Sequence, residues 1–203
     1  MKIGPGLRIA AVAALAVLGL IGLVAREAYE RDRGTELILP MAGVDPRSVL
    51  SGNFVAISLQ EPLALGQGCP PGFDASEIYN GPPPMVWIAF RQAGDHAVAV
   101  GAASTEAAAV RMSPIVTRGQ ASCSPPPTEP DGSPPQPGSV LLNLGVDRFY
   151  ASQAEAKAIG DMTAACDPSA GCPAAAIISI GPDTRPRLKG LMVNGKRIQM
   201  AAF

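Results

Sequence analysis

The chain has 203 residues, of which 47% are apolar and only 16% charged, and its formal net charge is −1. That balance excludes a disordered polymer, which buries too little apolar surface, and a nucleic-acid partner, which demands a basic patch to neutralise phosphates. The length suits one domain plus an additional segment.

Residues 9–25, IAAVAALAVLGLIGLVA, carry no charge and are flanked by Lys2 and Arg8 before and Arg26 after. As a helix this run spans about 25 Å, at the short end of what crosses a bilayer, and Arg8 can snorkel to the interface. A cleaved signal peptide would need small residues at −3 and −1. Here Leu23 lies at −3 of Ala25 and Arg26 at −3 of Ala28, so an uncleaved transmembrane helix is the expectation. Basic residues stand on both sides, so the positive-inside rule does not fix the orientation.

Residues 26–33 read as a charged collar, and 34–203 as an extracytoplasmic domain. TELILP is a short strand ending at Pro40. Asp45-Pro46 reads as N-cap and first helical residue, stopped by Ser51-Gly52. From Asn53 the chain alternates, with Val55, Ile57 and Leu59 on one face and Phe54, Ala56 and Ser58 on the other. That pattern predicts one strand covered on both sides. A Pro/Gly-rich loop follows over 62–84, then a hairpin turning around Ala93-Gly94-Asp95, then a strand over 110–116. The stretch 119–139 is expected to be an exposed, proline-rich loop. VLLNLG supplies another strand, and Ser152 with Glu155 forms a capping box that starts a helix running to about Ala165. The final segment offers three strands, two of them joined by Asn194-Gly195, the signature of a type I′ hairpin. The fold class expected is therefore α+β: a mostly antiparallel β domain with one main helix, beyond an N-terminal transmembrane helix.

Cys69, Cys123, Cys166 and Cys172 all follow the apolar run. An even number in an exported chain reads as two disulfides, and three pairings are possible. The turn-like DPSAG between Cys166 and Cys172 favours that pair, leaving Cys69 with Cys123. A zinc site fails on spacing, because there is no C-x-x-C and His96 is the sole histidine. No metal or cofactor is expected. The compartment is then oxidising, which places the N-terminus inside and the domain outside the cytoplasmic membrane.

Ser48 or Ser51 could serve a hydrolase of signal-peptidase type only beside a desolvated lysine. Lys157 lies on the helix, and Lys189 and Lys196 flank the Asn-Gly turn. Asp95 and His96 fall at a hairpin turn, where adjacent side chains point apart into water. Arg185, Arg187, Lys189, Lys196 and Arg197 read as a solvated face, and Trp87 and Tyr150 as core.

Residues Gly52 to Leu59, GNFVAISL, resemble the motif of the membrane-anchored GDYXXLXY family. Gly52 is identical, Asn53 stands for Asp, Phe54 for Tyr, Ile57 for Leu and Leu59 for the last Tyr. The blocks LILP…VDPRSVLSG, GVDRFYASQAEAKAI and LKGLMVNGKRI look like the family's remaining segments, in order. The resemblance implies a short anchor, an extracytoplasmic domain and a polytopic membrane protein as companion. It supplies no catalytic residue, and this chain departs from the motif's Asp and Tyr at Asn53 and Phe54. The function expected is that of a non-enzymatic accessory or binding protein, with the serine hydrolase as the alternative.

Overall fold

The computed structural model describes residues 5–42, 54–73, 83–126, 138–164 and 174–199. Helix α1 (Pro5–Arg33) runs without a break through the apolar stretch and the charged, helix-capable collar. Residues 8–29 are exposed all round. Among the described residues one helix, over Arg8–Arg33, is long and apolar enough to cross a membrane, with a mean hydropathy of 2.3 over its most apolar stretch.

The chain then turns at Gly34 into β1 (Thr35–Pro40). A Cβ on Gly34 would come within 2.2 Å of Ser179 Oγ and 2.8 Å of the Ile180 carbonyl carbon, so only glycine allows this close exit from the helix. β1 pairs antiparallel with β9 (Ala174–Ile180), which pairs with β10 (Pro186–Val193), which pairs with β11 (Lys196–Gln199). Asn194 and Gly195 both adopt positive φ, 50° and 74°, as the predicted two-residue turn between β10 and β11 requires.

The alternating run that begins near Asn53 is not one strand. β2 (Phe54–Ala56) pairs with β8 (Arg148–Tyr150), whereas β3 (Leu59–Leu63) pairs with β7 (Gly138–Asn143). The chain changes sheets at Ile57 and Ser58 without losing its burial phase, since Val55, Ile57, Leu59 and Leu63 all point into the core. β3 also carries regular structure into the segment expected to be loop from residue 62. Pro62 is tolerated there because β3 is an edge strand.

A five-stranded antiparallel sheet runs β3-β7-β6-β4-β5, with β4 (Met85–Ala93), β5 (His96–Ala103) and β6 (Ile115–Ser124). Two further expectations are corrected here. Residues 106–110 form a short helix, α2, and the strand begins only at Ile115. The proline-rich stretch yields Gly119–Ser124 to β6 and Gly138-Ser139 to β7. α2 is started by Thr105, whose hydroxyl accepts the Ala108 N–H, and it packs over Ala89, Val116 and the half-buried Trp87. β8 leads into α3 (Gln153–Ala164). There the capping box forms as expected: the Ser152 N–H donates to Glu155 Oε2 at 2.9 Å, and the Glu155 N–H to Ser152 Oγ at 3.3 Å. The fold is thus α+β with mostly antiparallel sheets, and one core unites both larger sheets through Leu37, Leu39, Ile178, Phe90 and Val140.

The five-stranded sheet curls until its two edges face each other. Glu61, in phase with the apolar residues of β3 and only 9% exposed, accepts the Ala99 N–H of the opposite edge strand β5 at 2.9 Å. Its carboxylate takes the place of a strand carbonyl across this seam. Burial raises its pKa above the ordinary 4.5, against the lowering effects of the Ala99 hydrogen bond and of His96. The folded state therefore binds the proton more tightly than the unfolded chain, and stability falls as pH rises from about 4.5 through the folded pKa. Glu61→Gln should remove that slope and stabilise the domain at neutral pH. Glu61→Ala, which leaves the Ala99 N–H unpaired, should cost about 1–3 kcal/mol. Urea unfolding of both variants across the acid range checks the two outcomes.

Candidate functional site

The change of sheets at Ile57 and Ser58 opens a groove. Backbone groups around the bend are satisfied: the Ile57 N–H donates to the Asp147 carbonyl at 2.8 Å, and the Ser58 carbonyl accepts the Ala42 N–H at 2.9 Å. β3 and β7 stay paired only as far as Leu59 and Leu142. Beyond that pair lies a cavity of about 360 Å³, walled by the bend, by the ends of β6 and β7, and by the turn through Asp147.

Its polar lining is fixed by a chain of amides. The Gly145 N–H donates to Asn143 Oδ1 at 3.1 Å, Asn143 Nδ2 to Gln120 Oε1 at 3.1 Å, and Gln120 Nε2 to the Pro83 carbonyl at 2.6 Å. Each amide keeps a further donor or acceptor site for a ligand. Ile57, Leu59, Leu141 and Leu144 supply the apolar wall. Among the described residues of the lining Asp147 alone is charged, so this part of the groove does not suit an anion. Its serines, Ser58 and Ser122, make no hydrogen bond to a lysine or histidine among the described residues. Fixed amides beside aliphatic side chains suit an extended, uncharged or cationic peptide segment.

A second polar cluster lies where α1 meets the four-stranded sheet. Arg187, only 7% exposed, grips two carboxylates with one guanidinium. Its Nη1 and Nη2 reach Asp183 at 2.9 and 2.8 Å, while Nε and Nη2 reach Glu27 of α1 at 2.5 and 3.1 Å. The Arg187 guanidinium holds the Asp183 carboxyl down to about 2. Nearby, Glu36 accepts both Arg197 terminal nitrogens at 2.8 Å and Lys189 at 3.2 Å. These contacts, Arg197 first, lower its pKa. The five cations of the last strands are therefore not a plain solvated face, because three of them are engaged by carboxylates from α1, β1 and the β9–β10 turn. The single sequence sign of this was an arginine, Arg187, inside an otherwise buried strand.

The family described as GDYXXLXY protein matches residues 16–191 of the chain. No curated protein and no solved structure matches it.

Of the motif residues, Ile57 and Leu59 line the groove. Phe54 turns the other way, its ring 6.2 Å from that of Tyr150 and 5.1 Å from the Arg148 guanidinium. Gly52 and Asn53 lie outside the described residues, as do Ser48, Ser51, Cys166, Cys172 and the turn expected from Asp45-Pro46. Tyr150, expected in the core, is 48% exposed, because β8 presents only Phe149 inward. Lys157 pairs with Asp161 on the surface of α3, at 2.6 Å, and Asp95 and His96 are exposed at the β4–β5 turn.

Cys69 is joined to Cys123, with Cα atoms 5.9 Å apart, tying the loop after β3 to the buried side of β6. The bond closes a loop of sequence separation 54, which on the chain-entropy account stabilises by about 4 kcal/mol. Cys69→Ala combined with Cys123→Ala should lower the unfolding free energy by roughly that amount, read by urea titration of the oxidised parent against the double variant.

Proposed function

The chain belongs to the GDYXXLXY family, and on that premise we propose that it is a non-enzymatic accessory protein, held in the bacterial inner membrane by α1. Its domain faces the periplasm and binds a membrane or envelope partner, a polytopic membrane protein foremost. The groove at the β2–β3 bend carries this reading. It combines preset amides with an aliphatic wall, has no nucleophile–base pair among the described residues, and suits a loop or terminal segment of another protein. The Cys69–Cys123 bond supports an oxidising compartment. A helix exposed and apolar around its whole circumference supports the anchor.

Crosslinking in the native membrane, with thiol alkylation before lysis, should recover one stoichiometric membrane partner and leave Cys69 and Cys123 unmodified. Leu141→Asp, at an exposed position of the groove wall, should reduce recovery of that partner about tenfold without lowering the melting temperature, as expected when a charge enters an apolar contact. Labelling of the chain by a serine-directed probe, or recovery unaffected by Leu141→Asp, overturns the reading.

A further inference from the structure

The Arg187 cluster fixes the height of one turn of the domain above the apolar part of α1. Glu27 lies two residues beyond Ala25, the last residue of the apolar run, which is about 3 Å of helix rise. Side chains on a helix lean toward its N-terminus, so the Glu27 carboxylate sits at or below the level of its own Cα. Arg187 reaches that carboxylate and Asp183 with the same guanidinium. The turn Pro182–Arg185 is therefore brought level with the first helical turn after the apolar run. The polar layer of a bilayer is about 5–7 Å thick on each side, so this turn falls within it. Tyr29, one helical turn beyond Ala25, is 55% exposed with the Arg33 guanidinium 4.8 Å from its ring centroid. An exposed tyrosine at that height is the residue type that settles at the membrane–water boundary.

We propose that the turn Pro182–Arg185 rests on the phospholipid headgroup layer, where Arg185 binds lipid phosphate, and that the Glu27–Arg187–Asp183 cluster locks the domain in this pose. The inference rests on the membrane-anchored reading. Arg185 is exposed and, unlike Arg187, has no carboxylate partner among the described residues, so its guanidinium is free to take a phosphate. The opposite end of β10, at Asn194, stands about 25 Å along the strand from the turn. It is the natural control.

The test uses the full chain in phosphatidylcholine vesicles containing a headgroup nitroxide lipid, in a Cys166→Ser, Cys172→Ser background. A fluorophore at Pro182→Cys should be quenched about threefold more than one at Asn194→Cys, since contact quenching reaches little beyond the headgroup thickness. Arg187→Met should bring the two positions together. Glu27→Gln, which keeps the buried Arg187–Asp183 fork, should do so in part and covers the case in which Arg187→Met fails to fold. Arg185→Gln should reduce quenching at Pro182→Cys in phosphatidylcholine but not in phosphate-free galactolipid vesicles. Equal quenching at both positions in a chain that resists carbonate extraction overturns the pose and leaves the anchor standing. No effect of Arg185→Gln overturns the phosphate contact. Release of the chain by carbonate overturns the anchor, and the pose with it.

Discussion

Everything on the stalk side of the domain depends on one nearly buried guanidinium. Removing Arg187 from water is costly, and the attraction of a single carboxylate would offset that cost poorly. Two carboxylates, both engaged with bidentate geometry, satisfy its donors and make the position tenable. Because one carboxylate belongs to α1 and the other to the β9–β10 turn, the arrangement cannot form unless helix and sheet hold a set relation. Deleting either partner would strand charge near the protein interior, so the joint resists bending more than a linker of the same length would. Gly34 completes it by bringing the helix exit within contact distance of Ser179 and Ile180.

The same constraint explains β9. Ile177, Ile178, Ser179 and Ile180 are all buried, so the strand is covered on both faces. Ile178 and Ile180 face the joined core, beside Leu37, Leu188 and Leu191 of the neighbouring strands. Ile177 and Ser179 face the other side, where Glu36, the cross-strand partner of Ser179, pairs with Lys189 and Arg197. Such exposed pairs contribute little stability individually.

The elements read correctly from sequence were those set by local rules. β1 ends at a proline, α3 begins at a capping box, and β10 and β11 turn at Asn194-Gly195, where backbone chemistry within a few residues decides the outcome. The change of sheets at Ile57 and Ser58 was not legible, because alternation reports which side is buried and not which strand lies alongside. β6 was lengthened by its neighbourhood: Ala121 to Ser124 run into prolines, yet pairing with β7 holds them extended. α2 did carry a signal, Thr105 as N-cap with Glu106 in the first turn, but five residues show too little periodicity to outweigh a strand reading. Glu61 was legible only as a charge in phase with apolar neighbours and Arg187 only as a charge beside them, and their meaning came from partners 38 and 160 residues away. The groove shared that limit, for only Ile57 and Leu59 of its lining belong to the motif read in the sequence.

The departures from the family motif follow from where these positions lie. Leu59 is 3% exposed and faces the joined core. A tyrosine there would have to find a partner for its hydroxyl in an apolar interior or thread it into the adjoining groove. Leucine removes that hydroxyl, so the motif's contribution to the groove in this chain is an aliphatic wall. The hydrogen-bonding capacity comes instead from Gln120 and Asn143 on the neighbouring strands, already oriented by Pro83 and Gly145. Phe54 likewise keeps ring contacts with Tyr150 and Arg148 at the half-exposed edge of β2, where a hydroxyl could have reached water at little cost. The motif in this chain therefore acts mainly as the bend that opens the groove, and the groove's hydrogen-bonding groups come from residues far from it in sequence.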